Sequence, residues 1–151
     1  MRDGQIKPPR QAGGGMVVDV KALQGTKLIL VDDEAGILRA LALILSSLKC
    51  EVSAFGSPVQ ALEHLDTGAV PDAIISDLRM PEMSGIEFLQ ALRSRGNTIP
   101  FVLMSGHATA EDVEMARRAG ITAFLGKPFP PQELLKVLTT LLPRLKPAAN
   151  E

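Results

Sequence analysis

The chain has 151 residues, 46% hydrophobic and 22% charged, a size and composition that suit one globular domain. Sixteen basic and 17 acidic side chains leave a net charge of −1, which argues against the broad basic face that binding along a phosphate backbone requires. The single cysteine, Cys50, excludes an intrachain disulfide and a cysteine-based zinc site, fits a reducing compartment, and reads as a small buried apolar residue.

Residues 1–15 offer Gly, Pro and polar side chains with almost nothing to bury, and residues 1–25 are assigned to a flexible N-terminal arm. That start has no hydrophobic region of the kind a secretory signal needs, and Met16, after GGG, is a candidate native start. From Lys27 onward two periods alternate. LILV (28–31) is a short apolar run closing on Asp32 and Asp33, and Ile37, Leu41, Ile44 and Leu48 then mark one face of a helix. The stretch 37–45 contains Arg39 and is far too short for a membrane span, so the cytoplasm is the expected location.

CEVSAF (50–55) is strand-like, and Ser57 with Pro58 opens a helix in which Gln60 holds the return position of a capping box. Gly68 ends it, and residues 66–71 read as a loop. DAII (72–75) is the next strand, followed by a helix over about 85–95. PFVLM (100–104) is a strand, Thr109 with Asp112 opens a weakly amphipathic helix, and Gly120 closes it. ITAFL (121–125) is a short strand, and QELLKVLTTLL (132–142) is a helix expected to stop at Pro143, leaving 143–151 as a tail. Five strand–helix pairs, with strands 1, 3 and 4 apolar on both faces, predict a doubly wound parallel α/β domain over residues 26–142.

In such a sheet, ligands bind beyond the carboxyl ends of the strands. Strand 1 ends at Asp32 and Asp33, strand 3 at Asp77, strand 4 at Ser105, and Lys127 follows strand 5. An acidic residue at a strand end is commonly a cap for the next turn, and Asp77 alone would read so. Three converging carboxylates change the balance, because two unit charges 4 Å apart repel by about 4 kcal/mol at an effective dielectric near 20. Lys127 and Arg79 are the nearby cations, and a divalent ion would neutralise the rest. Oxygen ligands without His or Cys favour Mg²⁺. A flavin or mononucleotide site would want a Gly- or Ser/Thr-rich loop where this chain has DDEAG, and a D-x-D phosphatase nucleophile is absent from the same place.

Here the chain resembles the receiver domain of two-component response regulators. The likeness rests on LILVDDE, DLRMPEMSG, MSGHA and FLGKPF, in order over residues 26–142, with 45 residues from Asp32 to Asp77, 28 to Ser105 and 22 more to Lys127. The resemblance implies a flavodoxin-like (βα)5 sandwich with strand order 2-1-3-4-5. It implies that Asp77 accepts a phosphoryl group from a histidine kinase or a histidine phosphotransfer protein. Asp32, Asp33, Asp77 and the backbone carbonyl of Arg79 would hold Mg²⁺, with Mn²⁺ as a substitute. Lys127 and Ser105 would contact the phosphoryl group, Pro128 would follow a cis bond, and Ser105 with Phe124 would form the conformational switch. Phe124 stands where many relatives carry Tyr, giving up a hydroxyl. The output surface would be the fourth helix, fifth strand and fifth helix, facing a downstream protein or a second copy.

Arg79 and His107, two residues after Asp77 and Ser105 respectively, are expected to modulate phosphate loss, Arg79 by reaching Glu34 or the phosphate. No direct nucleic-acid or membrane binding is expected, and the chain reads as a switch that is not an enzyme. With only nine residues after Leu142, it fits either a stand-alone receiver or a piece of a longer regulator. Two readings compete: a docking domain indifferent to phosphorylation, which has no need of clustered charge, and a metal-dependent phosphohydrolase, for which the sequence offers no general acid or substrate pocket.

Overall fold

The computed structural model describes residues 19–145, with side chains to Leu141. The strands are β1 (Lys27–Val31), β2 (Glu51–Phe55), β3 (Ala73–Asp77), β4 (Phe101–Ser105) and β5 (Ala123–Gly126). The helices are α1 (Ala35–Ser47), α2 (Pro58–Asp66), α3 (Gly85–Ser94), α4 (Ala110–Arg118) and α5 (Pro131–Leu145). All strand pairs are parallel, in the order β2-β1-β3-β4-β5, as the doubly wound reading requires.

Burial follows from position in the sheet. The central strands β3 and β4 are buried at every residue and β1 at all but Lys27, whereas the edge strands β2 and β5 are only partly covered. Alternate side chains serve opposite faces. Leu28, Leu30, Ile75, Val102 and Met104 pack under α1 and α5, while Ile29, Val31, Ile74, Phe101 and Leu103 pack under α2, α3 and α4. Both apolar layers are sealed by helix stripes such as Leu41–Leu45 and Leu134–Leu138–Leu141 on one side and Phe88–Leu89–Leu92 on the other.

Local chemistry sets the helix ends. Ser84 and Thr109 form reciprocal capping boxes with Glu87 and Asp112, and Ser57 accepts from the Gln60 N–H. Helix α4 is held weakly, since Ala116 is its one fully buried residue.

Three expectations need correction. The arm does not extend to residue 25: Val20–Leu23 form a 3₁₀ turn capped by Asp19, and Leu23 is fully buried against the α1 and α5 leucines. The Cys50 thiol and the Lys49 carbonyl bond this segment from the other side, at Leu23 O (3.5 Å) and Gly25 N (2.8 Å). The rest of the arm, including Met16, lies outside the described residues, as do residues 146–151 of the tail. Secondly, α5 passes through Pro143 to Leu145; a proline in the last turn forfeits one N–H bond, while the leucine stripe before it anchors the helix. Thirdly, β5 begins at Ala123, because Thr122 spends its hydroxyl on the Phe101 N–H (2.9 Å) ahead of the ladder.

Candidate functional site

Five polar side chains meet at the carboxyl edge because the loops after β1, β3, β4 and β5 all open there. The register aligns Val31 with Ser76, Asp77 with Met104 and Ser105 with Gly126, so Asp32, Asp77, Ser105 and Lys127 all emerge within a step of one level. Asp32 is 1% exposed and Asp77 7%, whereas Asp33 faces solvent. Carboxylate oxygens of Asp32, Asp33 and Asp77 lie within 4.8 Å of one another.

Lys127 sits between two of them. Its Nζ is 2.7 Å from Asp77 Oδ1 and 3.1 Å from Asp32 Oδ2, and the Lys127–Pro128 peptide is cis. Asp32 Oδ1 accepts from the Glu34 N–H at 2.9 Å, which fixes that carboxylate ahead of α1. Asp77 caps nothing; α3 is capped by Ser84, so the capping alternative for Asp77 falls. Ser105 Oγ accepts from the His107 N–H at 3.1 Å, leaving its proton free to donate toward the cleft.

Electrostatics make Asp77 the unsettled member. Burial pushes its carboxyl above the ordinary range; the Lys127 hydrogen bond opposes this, and the charges on Asp32 and Asp33 add to it. For Lys127, burial works against the charge, but the bonds to Asp77 and Asp32 outweigh it and raise the ammonium. A hard divalent cation fits this donor set. The ligands are all oxygen, they lie close together, and one ammonium does not balance three carboxylates.

A raised carboxyl pKa has a stability consequence whose sign is fixed. The folded state favours protonated Asp77, so its ionisation costs stability, increasingly as pH rises through the ordinary carboxylate range and fully above the folded pKa. Asp77→Asn is therefore expected to raise the melting temperature of the metal-free protein at neutral pH by about 2–5 °C. Added Mg²⁺ is expected to raise the wild-type value more than that of the variant. Scanning calorimetry with and without Mg²⁺ checks both; a lower melting point for the variant contradicts the assignment.

An open cleft of about 690 Å³ lies over the acidic group. Asp33, Asp77, Ser105, His107 and Lys127 line its polar part, and Ile37, Leu41, Pro128 and Phe129 form an apolar wall. That wall was not legible as part of a site, since Ile37 and Leu41 carry the α1 core period and Phe129 follows a turn. Phe124 is half-buried on β5, beside Leu103 and against the layer under α2–α4. Arg79 lines the cleft, and the carboxylate its Nη2 bonds is that of Asp112 (Oδ2, 2.6 Å) where the sequence suggested Glu34. His107 is exposed at the mouth.

A model described as the response regulator receiver domain matches residues 28–139. Response regulator protein TmoT of Ectopseudomonas mendocina is 34% identical over 128 residues, covering 85% of this chain and 57% of that protein. Transcriptional regulatory protein GlrR of Escherichia coli (strain K12) is 32% identical over 124 residues, covering 82% of this chain and 28% of that protein. The chain thus spans about half, or less, of the length of these curated relatives. Among solved structures, Vibrio cholerae chemotaxis protein CheY4 superposes with a TM-score of 0.73 at 31% identity, covering 78% of this chain and 98% of that one. Among the described residues, no helix is long and apolar enough to cross a membrane.

Proposed function

This chain belongs to the response regulator receiver domain family, and from that premise we propose that Asp77 is the phosphoacceptor of a signalling switch. The observation that carries the reading is the clustering of Asp77 with Asp32 and Asp33 at the open end of the sheet, with Lys127 Nζ bonded to both Asp77 and Asp32. A pure docking domain gains nothing from such an arrangement. The donor would be a phosphohistidine on a sensor kinase or phosphotransfer protein. An Asp77 oxygen attacks phosphorus, the new O–P bond replaces the N–P bond, and the released imidazole takes up a proton.

Asp32, Asp33, Asp77 and the Arg79 carbonyl would hold Mg²⁺, or Mn²⁺ in its place. The ion, when bound, screens the attacking carboxylate from the incoming phosphoryl charge. Lys127 supplies a fixed positive charge to a phosphoryl oxygen, and the Ser105 hydroxyl supplies a donor. The phosphorylated residue carries roughly −1.5 to −2 charge at neutral pH. Ser105 then moves toward it, Phe124 turns into the space vacated, and the α4–β5–α5 surface is redrawn for a downstream partner or a second copy. Populating the active form from 1% to 99% takes about 5.5 kcal/mol of differential stabilisation. The weak anchoring of α4 keeps the opposing cost low. The chain acts as a regulatory domain of this kind and not as an enzyme on separate substrates; its location would be the cytoplasm, where such kinases present their phosphohistidine.

Incubation with acetyl phosphate tests the reading. The intact mass is expected to rise by one phosphoryl group with Mg²⁺ and to stay unchanged with EDTA; labelling that is indifferent to EDTA counts against it. Arg79 and His107 flank the approach to the acyl phosphate. Arg79→Ala and His107→Ala are each expected to shorten its lifetime by about two- to tenfold, as loss of a group that orders the cleft would. Decay at the wild-type rate removes them from that role.

A further inference from the structure

Arg79 and Asp112 are far apart in sequence, yet Nη2 of Arg79, which lines the cleft, lies 2.6 Å from Asp112 Oδ2. Arg79 belongs to the loop that follows the phosphoacceptor, and Asp112 belongs to the first turn of α4. The same Asp112 Oδ2 accepts from the Thr109 N–H at 2.9 Å, closing the capping box whose other bond runs from the Asp112 N–H to Thr109 Oγ1 at 3.0 Å. One carboxylate oxygen therefore joins the acceptor loop to the start of α4. The segment 106–109 is held from both ends, by this pair and by the His107 N–H on Ser105 Oγ. Since α4 buries only Ala116 fully, these polar ties carry much of its positioning.

We propose that Asp112 is a positioning residue of this site: through Arg79 it latches the β4–α4 loop in its unphosphorylated place and keeps the guanidinium away from the phosphoryl position. The inference rests on the phosphoacceptor reading of Asp77. A phosphoryl group there competes for Arg79, and as the guanidinium leaves Asp112 the start of α4 loses its tie to the acceptor loop. Coupling of this kind is reciprocal, so loosening the latch must also favour occupancy of the phosphoryl site.

Asp112→Asn is the discriminating change, because the amide oxygen still accepts the Thr109 N–H while the charge that holds Arg79 is gone. Two quantities are read in wild type, Asp112→Asn, Arg79→Gln and the double variant. One is hydrogen exchange of amides 106–111 without phosphodonor, and the other is binding of beryllofluoride with Mg²⁺ followed by NMR. Asp112→Asn is expected to speed exchange and tighten beryllofluoride binding, each by about three- to fivefold, the scale of one ion pair. In the Arg79→Gln background the same change is expected to add nothing. Equal effects in both backgrounds assign Asp112 to the cap alone and overturn the latch, as does normal beryllofluoride binding with no effect of Asp112→Asn. A wild-type chain that takes up neither beryllofluoride nor phosphate overturns the phosphoacceptor reading and the latch with it.

Discussion

Lys127→Ala is expected to lower stability in metal-free buffer by about 2–4 kcal/mol and to slow phosphoryl uptake by about 10²-fold. The stability loss follows from what stays behind. Asp32 and Asp77 are both buried, and among the described residues no other basic side chain pairs with either. Removing the ammonium leaves two carboxylates facing each other, with the Glu34 N–H still on Asp32 but the ion pairs to both carboxylates gone. The expected signature is a lower urea midpoint that Mg²⁺ partly restores, because a bound cation replaces the missing charge between the same oxygens. The uptake defect is expected to persist at saturating Mg²⁺, since in the proposed function the ammonium would also meet the transferred group. An unchanged midpoint without metal contradicts the geometry; full uptake by the variant contradicts the role.

The second large effect concerns a residue without a side chain. Gly85 opens α3, its N–H donates to the Leu78 carbonyl at 2.8 Å, and the helix start lies directly on the end of β3. A Cβ at this position would collide with the backbone carbonyl oxygen of Asp77 and with Leu103 Cδ1. A leucine terminus can swing aside, but the Asp77 carbonyl cannot move without shifting the residue proposed as acceptor. Gly85→Ala is therefore expected to cost about 1–3 kcal/mol, against a helix-propensity gain of about 1. Phosphoryl uptake is expected to fall with it. Urea titration and acetyl phosphate kinetics measure the two losses; a variant at least as stable as wild type would show that α3 does not rest on the end of β3. The same contact explains why the DLRMPEMSG segment ends on glycine.

Most of the site was legible because it is built from strand ends. Once short continuous apolar runs identify β1, β3, β4 and β5, the residues following each run must emerge on one edge, so Asp32, Asp77, Ser105 and Lys127 fall together without any contact being known. What was not legible depended on single long-range contacts. Leu23 carries no periodic signal, yet it fills a gap between α1 and α5 and draws residues 19–25 into the domain. The partner of Arg79 was missed for the same reason: Asp112 reads as a capping residue, which it is, and nothing local says that the same oxygen also meets Arg79. Pro143 misled by obeying a local rule, whereas the α5 leucine stripe had already fixed the helix.

The most direct measurement is peptide mapping after incubation with acetyl phosphate and Mg²⁺, with borohydride reduction to convert the acyl phosphate to a stable alcohol. The reduced product is expected at residue 77 and at no other carboxylate, and Asp77→Asn is expected to yield none. Label on Asp32, Asp33 or any other residue, or undiminished label in the variant, would contradict Asp77 as the acceptor.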